Sequence, residues 1–122
     1  MILRLHHAQI TVPADRVEEA RDFYCGVLGL KEIEKPESLK GRGGFWVELG
    51  DLQIHVGTEE GFDRLTTKAH LAYQVDNLDE WRQRLTELSL KWETGIVIPG
   101  YDRVEFRDPF GNRAEFIQAV GE

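Results

Sequence analysis

The chain has 122 residues, 41% of them hydrophobic, and a formal net charge of −7. That length buries a core without disulfides or a structural metal, and acids spread along the chain exclude a nucleic-acid backbone or an anionic membrane surface as partner. No apolar run approaches the roughly 20 residues of a membrane span, the opening MILRLHH lacks the apolar core and cleavage site of a secretory signal, and the lone Cys25 in FYCGVLG reads as a small buried hydrophobe, so a soluble, cytoplasmic protein is expected.

Residues 5–12, LHHAQITV, alternate as a strand. Successive side chains point to opposite faces, so Leu5, His7, Gln9 and Thr11 share a largely polar face, and His6, Ala8, Ile10 and Val12 an apolar one. His7 is therefore the candidate for chemistry, and His6 is expected to have a surface or packing role. Pro13 ends the strand. The segment ADRVEEARDFYCGVLG then takes helical spacing through Val17, Ala20, Phe23 or Tyr24, and Leu28; Asp15 and Glu18 are spaced as a capping box, and Gly29 is placed to stop the helix. LKEIEK, FWVELG and LQIHVG supply three strands, the last two joined at Gly50-Asp51 in the manner of a hairpin. Residues 58–67 lack a steady period and read as a linker.

The order then begins again. HLAYQV is a strand, DNLDEWRQRLTEL a helix with Leu78, Trp81, Leu85 and Leu88 on one face and Asp76 or Asn77 as its cap, and LKWE, DRVEFRD and NRAEFIQ are three more strands. Asp108-Pro109-Phe110-Gly111-Asn112 makes the turn before the last. The chain is thus an α+β domain built from a βαβββ unit used twice, over about 2–57 and about 68–120.

Particular residues repeat with the units. His7 and His70 each stand five places before a valine that precedes a helix, and they are 63 residues apart; His55 and Glu115, late in each unit, are 60 apart and follow a hairpin glycine. His70 falls with Ala72 and Gln74 opposite Leu71, Tyr73 and Val75, while His55 falls with Gln53, and Glu115 with Arg113, away from their apolar neighbours. A lone strand histidine is usually hydrogen-bonded and a lone strand glutamate usually solvated. Four such groups at repeat-equivalent, non-core positions, facing one concavity if the sheets curl together, make a candidate divalent-metal site.

HAQITV, ARDFYCGVLGL, ELGDLQIHVG, HLAYQV and RDPFGNRAEFIQ together resemble the vicinal oxygen chelate superfamily, which includes glyoxalase I, fosfomycin-resistance enzymes, extradiol dioxygenases and the metal-free bleomycin-resistance proteins. The resemblance implies paired βαβββ units forming a cupped mixed sheet, commonly in a homodimer, with a divalent ion such as Zn, Ni, Mn, Fe or Co. It implies His7, His70 and Glu115 as ligands and puts His55 where glyoxalase I usually has a glutamate. Three histidines and one carboxylate leave about one net positive charge at such a centre, which favours an anionic oxygen ligand and strengthens the Lewis acid. They also remove one carboxylate that moves protons, leaving that task to Glu115 or His55.

Two other readings stay open. In one, His7, His70 and Glu115 form the two-histidine, one-carboxylate face of an extradiol dioxygenase, with His55 unbound. In the other the cup sequesters a small molecule without metal or chemistry. Lys40, Arg42 and Trp46 in KGRGGFW are either part of a mobile substrate lid or a solvated hairpin with Trp46 in the core. By likeness to the family, Tyr101 and Arg103 line the second unit's cup, where an arginine suits a carboxylate or phosphonate of a small-molecule substrate. Glu48 reads as a surface carboxylate. No phosphate-cradling loop or nucleophile elbow is present.

Overall fold

A computed structural model describes residues 1–121. The chain divides into two compact units, Met1–Phe62 and the segment from Asp63 onward.

In the first unit β1 (His7–Val12) is followed by a 3₁₀ turn, Ala14–Arg16, and by α1 (Val17–Arg21). The helix expected to run unbroken to Leu28 instead widens into a π segment, Asp22–Val27, closed by Leu28 N–H donating to Phe23 O at 2.9 Å. The wide turn accompanies burial of the adjacent Phe23 and Tyr24. Gly29, at φ 73°, ends it as expected. The capping box does not form, because α1 begins later, at Val17, and has no side-chain cap; the carboxylate of Glu60 takes the Ala14 N–H at 2.6 Å. Cys25 is half-buried, and burial, with the nearby Glu32 carboxylate, pushes its thiol up against the smaller opposing effect of Arg21.

Three strands complete this unit: β2 (Lys31–Ile33), β3 (Phe45–Leu49) and β4 (Leu52–Thr58). They form a sheet of order β1-β4-β3-β2, in which β1 and β4 run parallel and the other pairs antiparallel. Val12, Phe45, Val47, Ile54 and Val56 are buried on the apolar side together with Ala20 and Phe23. Between β2 and β3 a 3₁₀ stretch, Glu37–Arg42, returns through Gly43 and Gly44, whose φ angles are 77° and 76°. A Cβ on Gly44 would stand 2.0 Å from the Val56 carbonyl oxygen, so only glycine lets this loop rest on β4.

The second unit repeats the plan with β5 (His70–Gln74), α2 (Leu78–Glu87), β6 (Trp92–Thr94), β7 (Tyr101–Arg107) and β8 (Arg113–Ala119), in the order β5-β8-β7-β6. Asn77 is the cap of α2, its side chain accepting from Glu80 N–H at 3.3 Å. Leu78 and Leu85 are buried, and Trp81 lies 4.8 Å, centroid to centroid, from Phe116 of β8. The residues read as a linker contain a 3₁₀ turn, Arg64–Thr66, tied down by Arg107, which donates to the carbonyls of Arg64 at 2.9 Å and Thr67 at 3.0 Å.

The DPFGN turn is held by one buried carboxylate. Asp108 Oδ1 accepts from the backbone N–H of Phe110 at 2.9 Å and of Asn112 at 2.8 Å, while Oδ2 accepts from Asn112 Nδ2 at 3.1 Å. This motif therefore shapes the hairpin that delivers β8.

Candidate metal and substrate site

Register makes the two units equivalent at the residues of interest. His55 is paired with Gln9 of β1 on one side and Trp46 of β3 on the other; Glu115 is paired with Ala72 of β5 and Glu105 of β7. In both cases the donor on the last strand lies beside the residue two places after the first-strand histidine. The alternation read from the sequence leads to this placement.

In the first unit three rings stack. The imidazole of His55 lies 3.7 Å from the ring of Trp46 with planes 1° apart, and 4.1 Å from His7 with planes 17° apart. His55 is 7% exposed, although it is on the polar side of the strand. Burial, with the neighbouring His7, His6 and Lys35, lowers its pKa to about 4, so the ring is neutral at pH 7. Gln53 Oε1 stands 3.0 Å from Nε2 and accepts its proton, which leaves Nδ1 with a lone pair. His6 is not remote: its Nδ1 is 3.0 Å from His7 Nδ1, so one of these nitrogens carries the shared proton.

A cavity of about 570 Å³ opens beside this stack, lined by His7, His55, Trp46, Lys35, Leu39 and Arg42 among others. Lys35 donates to the Gly43 carbonyl at 2.7 Å. Lys40 is not among the lining residues; Glu34 and Glu37 hold it at 2.7 and 2.9 Å. Glu48 makes a surface pair with Lys31 at 3.6 Å. Lys35 was not singled out in the sequence; its only signal was a place just before Pro36 at the start of the loop.

In the second unit His70 and Glu115 meet. His70 Nε2 is 3.2 Å from Glu115 Oε1, and His70 Nδ1 is 2.9 Å from the Lys68 carbonyl. A carbonyl only accepts, so Nδ1 carries hydrogen, and in the neutral ring Nε2 then has only a lone pair. Two lone-pair atoms face each other at 3.2 Å. The contact is favourable once a proton or another cation lies between them.

Arg103 is committed within its own unit. It donates to Glu115 Oε1 at 2.9 Å, to Glu105 Oε1 at 3.0 Å and to the Ile96 carbonyl at 3.0 Å, and a Cβ on Gly95 would fall 2.6 Å from its Cζ. Arg113 holds the other oxygen of Glu105 at 2.8 Å. Burial would raise the Glu105 carboxyl, but these two guanidinium groups outweigh it and hold it low. Tyr101, at the start of β7, is 44% exposed.

Among the described residues no three histidine, cysteine, aspartate or glutamate side chains stand together as a metal-binding group. What each unit has is a pair: two imidazoles in the first, an imidazole and a carboxylate in the second. Nitrogen and oxygen donors of this kind suit a divalent transition metal. His70 carries the usual outer partner of a metal-bound histidine, a carbonyl on its other nitrogen.

A model of the Glyoxalase/Bleomycin resistance protein/Dioxygenase superfamily matches residues 4–116, and the chain belongs to this family. Lactoylglutathione lyase of Neisseria meningitidis is 30% identical over 95% of this chain and 91% of its own length. Glyoxylase I 4 of Arabidopsis thaliana is 27% identical over 84% of this chain, which spans only 64% of that relative. A crystal structure of a glyoxalase family protein from Bacillus anthracis superposes with a TM-score of 0.86 at 39% identity, covering 98% of this chain and 97% of that one.

Proposed function

We propose that this protein is a metal-dependent glyoxalase-like enzyme, of lyase or isomerase type, whose small substrate chelates a divalent ion through neighbouring oxygens. His7, His55, His70 and Glu115 are the proposed ligands. The contact between His70 Nε2 and Glu115 Oε1 carries this reading, because its two lone pairs call for a cation and its outer carbonyl fixes the nitrogen that would bind one. A bound divalent ion would act as a Lewis acid on the substrate's oxygens.

The protein's own residues divide the remaining work. His55, neutral at pH 7 and closed on both faces by Trp46 and His7, is a weak base held in one orientation. Proton transfer is assigned to Glu115, the carboxylate of the proposed ligand set. Arg103, bound to the same carboxylate, keeps it aimed toward His70. The lyase activity in the name of the Neisseria relative supports the reaction class. A cytoplasmic homodimer is part of the same reading, and light scattering checks the assembly.

One observation favours a second reading, a metal-free binding protein. Arg103 already neutralises Glu115 at 2.9 Å, and a proton on His70 would complete that network without a metal. Elemental analysis separates the two, using protein purified without a histidine tag and incubated in turn with Zn, Ni, Mn, Fe(II) and Co. Stoichiometric metal in the parent and its loss in His70→Ala is the expected result; no metal in either sinks the proposal.

A further inference from the structure

The cavity of the first unit has a charge pattern that the chain as a whole does not share. The protein carries −7, yet the residues lining this hollow include Lys35, Arg42 and two imidazoles, and no carboxylate. The remaining cation of the 37–42 stretch is spent, since Lys40 is clasped by Glu34 and Glu37. Arg42 is different. Among the described residues its guanidinium makes no hydrogen bond or ion pair, although it lines a concave surface. Lys35 gives one proton to the Gly43 carbonyl, which anchors its ammonium and leaves two more to donate. Leu39 and Trp46 add apolar surface to the same hollow.

We infer that this hollow binds a small organic anion, whose carboxylate or phosphonate oxygens sit on Arg42 and Lys35 and whose apolar body lies against Leu39 and Trp46. A guanidinium without a protein partner presents a planar fork that matches two oxygens of such a group. Concave low-dielectric walls strengthen that attraction, and about 570 Å³ is the size of a small-molecule pocket. Gly44 rests against the backbone of β4 directly after Gly43, which closes the 37–42 stretch, and Arg42 is thereby placed at the rim of the hollow. Because His7 and His55 line the same hollow, assigning this anion to the substrate rests on the function proposed above. The binding itself requires no metal.

The test uses the whole chain treated with a chelator and titrated by calorimetry with phenylphosphonate and with benzoate, with benzyl alcohol as the uncharged control. Saturable one-site binding of at least one of the two anions is expected. It should weaken about tenfold or more in Arg42→Gln, several-fold in Lys35→Gln, and with added NaCl, and benzyl alcohol should not bind. Both residues are outside the core, so their loss leaves the fold intact. Neither anion binding, equal binding of benzyl alcohol, or equal affinity in parent and both variants would overturn the inference. Metal content of the same preparations keeps the two proposals apart. Anion binding without metal uptake removes only the metalloenzyme reading, and metal uptake without anion binding to the chelated protein removes only the anion site.

Discussion

The indole of Trp46 and the imidazole of His55 are parallel to within 1° at 3.7 Å, and the opposite face of that imidazole is covered by His7. A ring enclosed in this way resists protonation, since the charged form loses water on both faces. Its pKa falls from 6.5 to about 4. The unfolded chain therefore binds a proton that the folded chain refuses between those values, and stability is lost as pH falls from about 6.5 to about 4. The expected loss is about 3 kcal/mol. Urea midpoints of chelator-treated protein from pH 7.5 down to 4.5 measure it, and His55→Gln should flatten the slope. Equal slopes in parent and variant would contradict the enclosure.

Gly44 and Gly50 both have positive φ, at 76° and 62°, but differ in what surrounds them. A methyl on Gly44 meets the Val56 carbonyl at 2.0 Å, whereas nothing lies within 4 Å of one on Gly50. Gly50→Ala should cost roughly 1 to 2 kcal/mol, the strain of a left-handed residue. Gly44→Ala must also push β4 or the loop aside and should cost about 3 kcal/mol or more. Denaturation midpoints of the two variants, run side by side, give the comparison; similar costs would mean the loop can lift without penalty.

Arg103 is the partner that makes a 4% exposed Glu115 tolerable. Arg103→Met keeps an unbranched apolar stem but removes the guanidinium, which leaves that carboxylate with His70 alone, while Glu105 loses one of its two guanidinium partners. A loss of about 3 kcal/mol is expected in chelator-treated protein, the usual consequence of stripping one member from a buried pair. A variant with the parent's midpoint would show that Glu115 takes up a proton or reaches water at little cost.

Much of the architecture was legible because it depends on period alone. Alternation in LHHAQITV and HLAYQV separated His7 and His70 from the apolar faces, and the equal spacing of both units carried over to equal strand order. What escaped was set by contacts between distant segments. Asp15 had the spacing of a cap, but Glu60, 46 residues away from Ala14, reached that helix end instead. Arg103 read as a free clamp because nothing in DRVEFRD reveals that β7 and β8 align Glu105 with Glu115 and draw the guanidinium onto both. Trp46 could be read as core or lid. The register of β3 with β4 made it instead the cover of a histidine. Lys35 escaped for a simpler reason, since a lysine beside a proline has no pattern until the loop closes over it.

The parallel pairing of β1 with β4, and of β5 with β8, joins the earliest and latest strands of each half. On the ribosome, His7 must wait for some 48 more residues before His55 emerges, and His70 waits for 45 before Glu115. Neither donor pair exists in a nascent half-domain, however well its helix and hairpin have formed. The stacked surroundings of His55 and the contact of His70 with Glu115 therefore come into being only once the last strand of their half has been made.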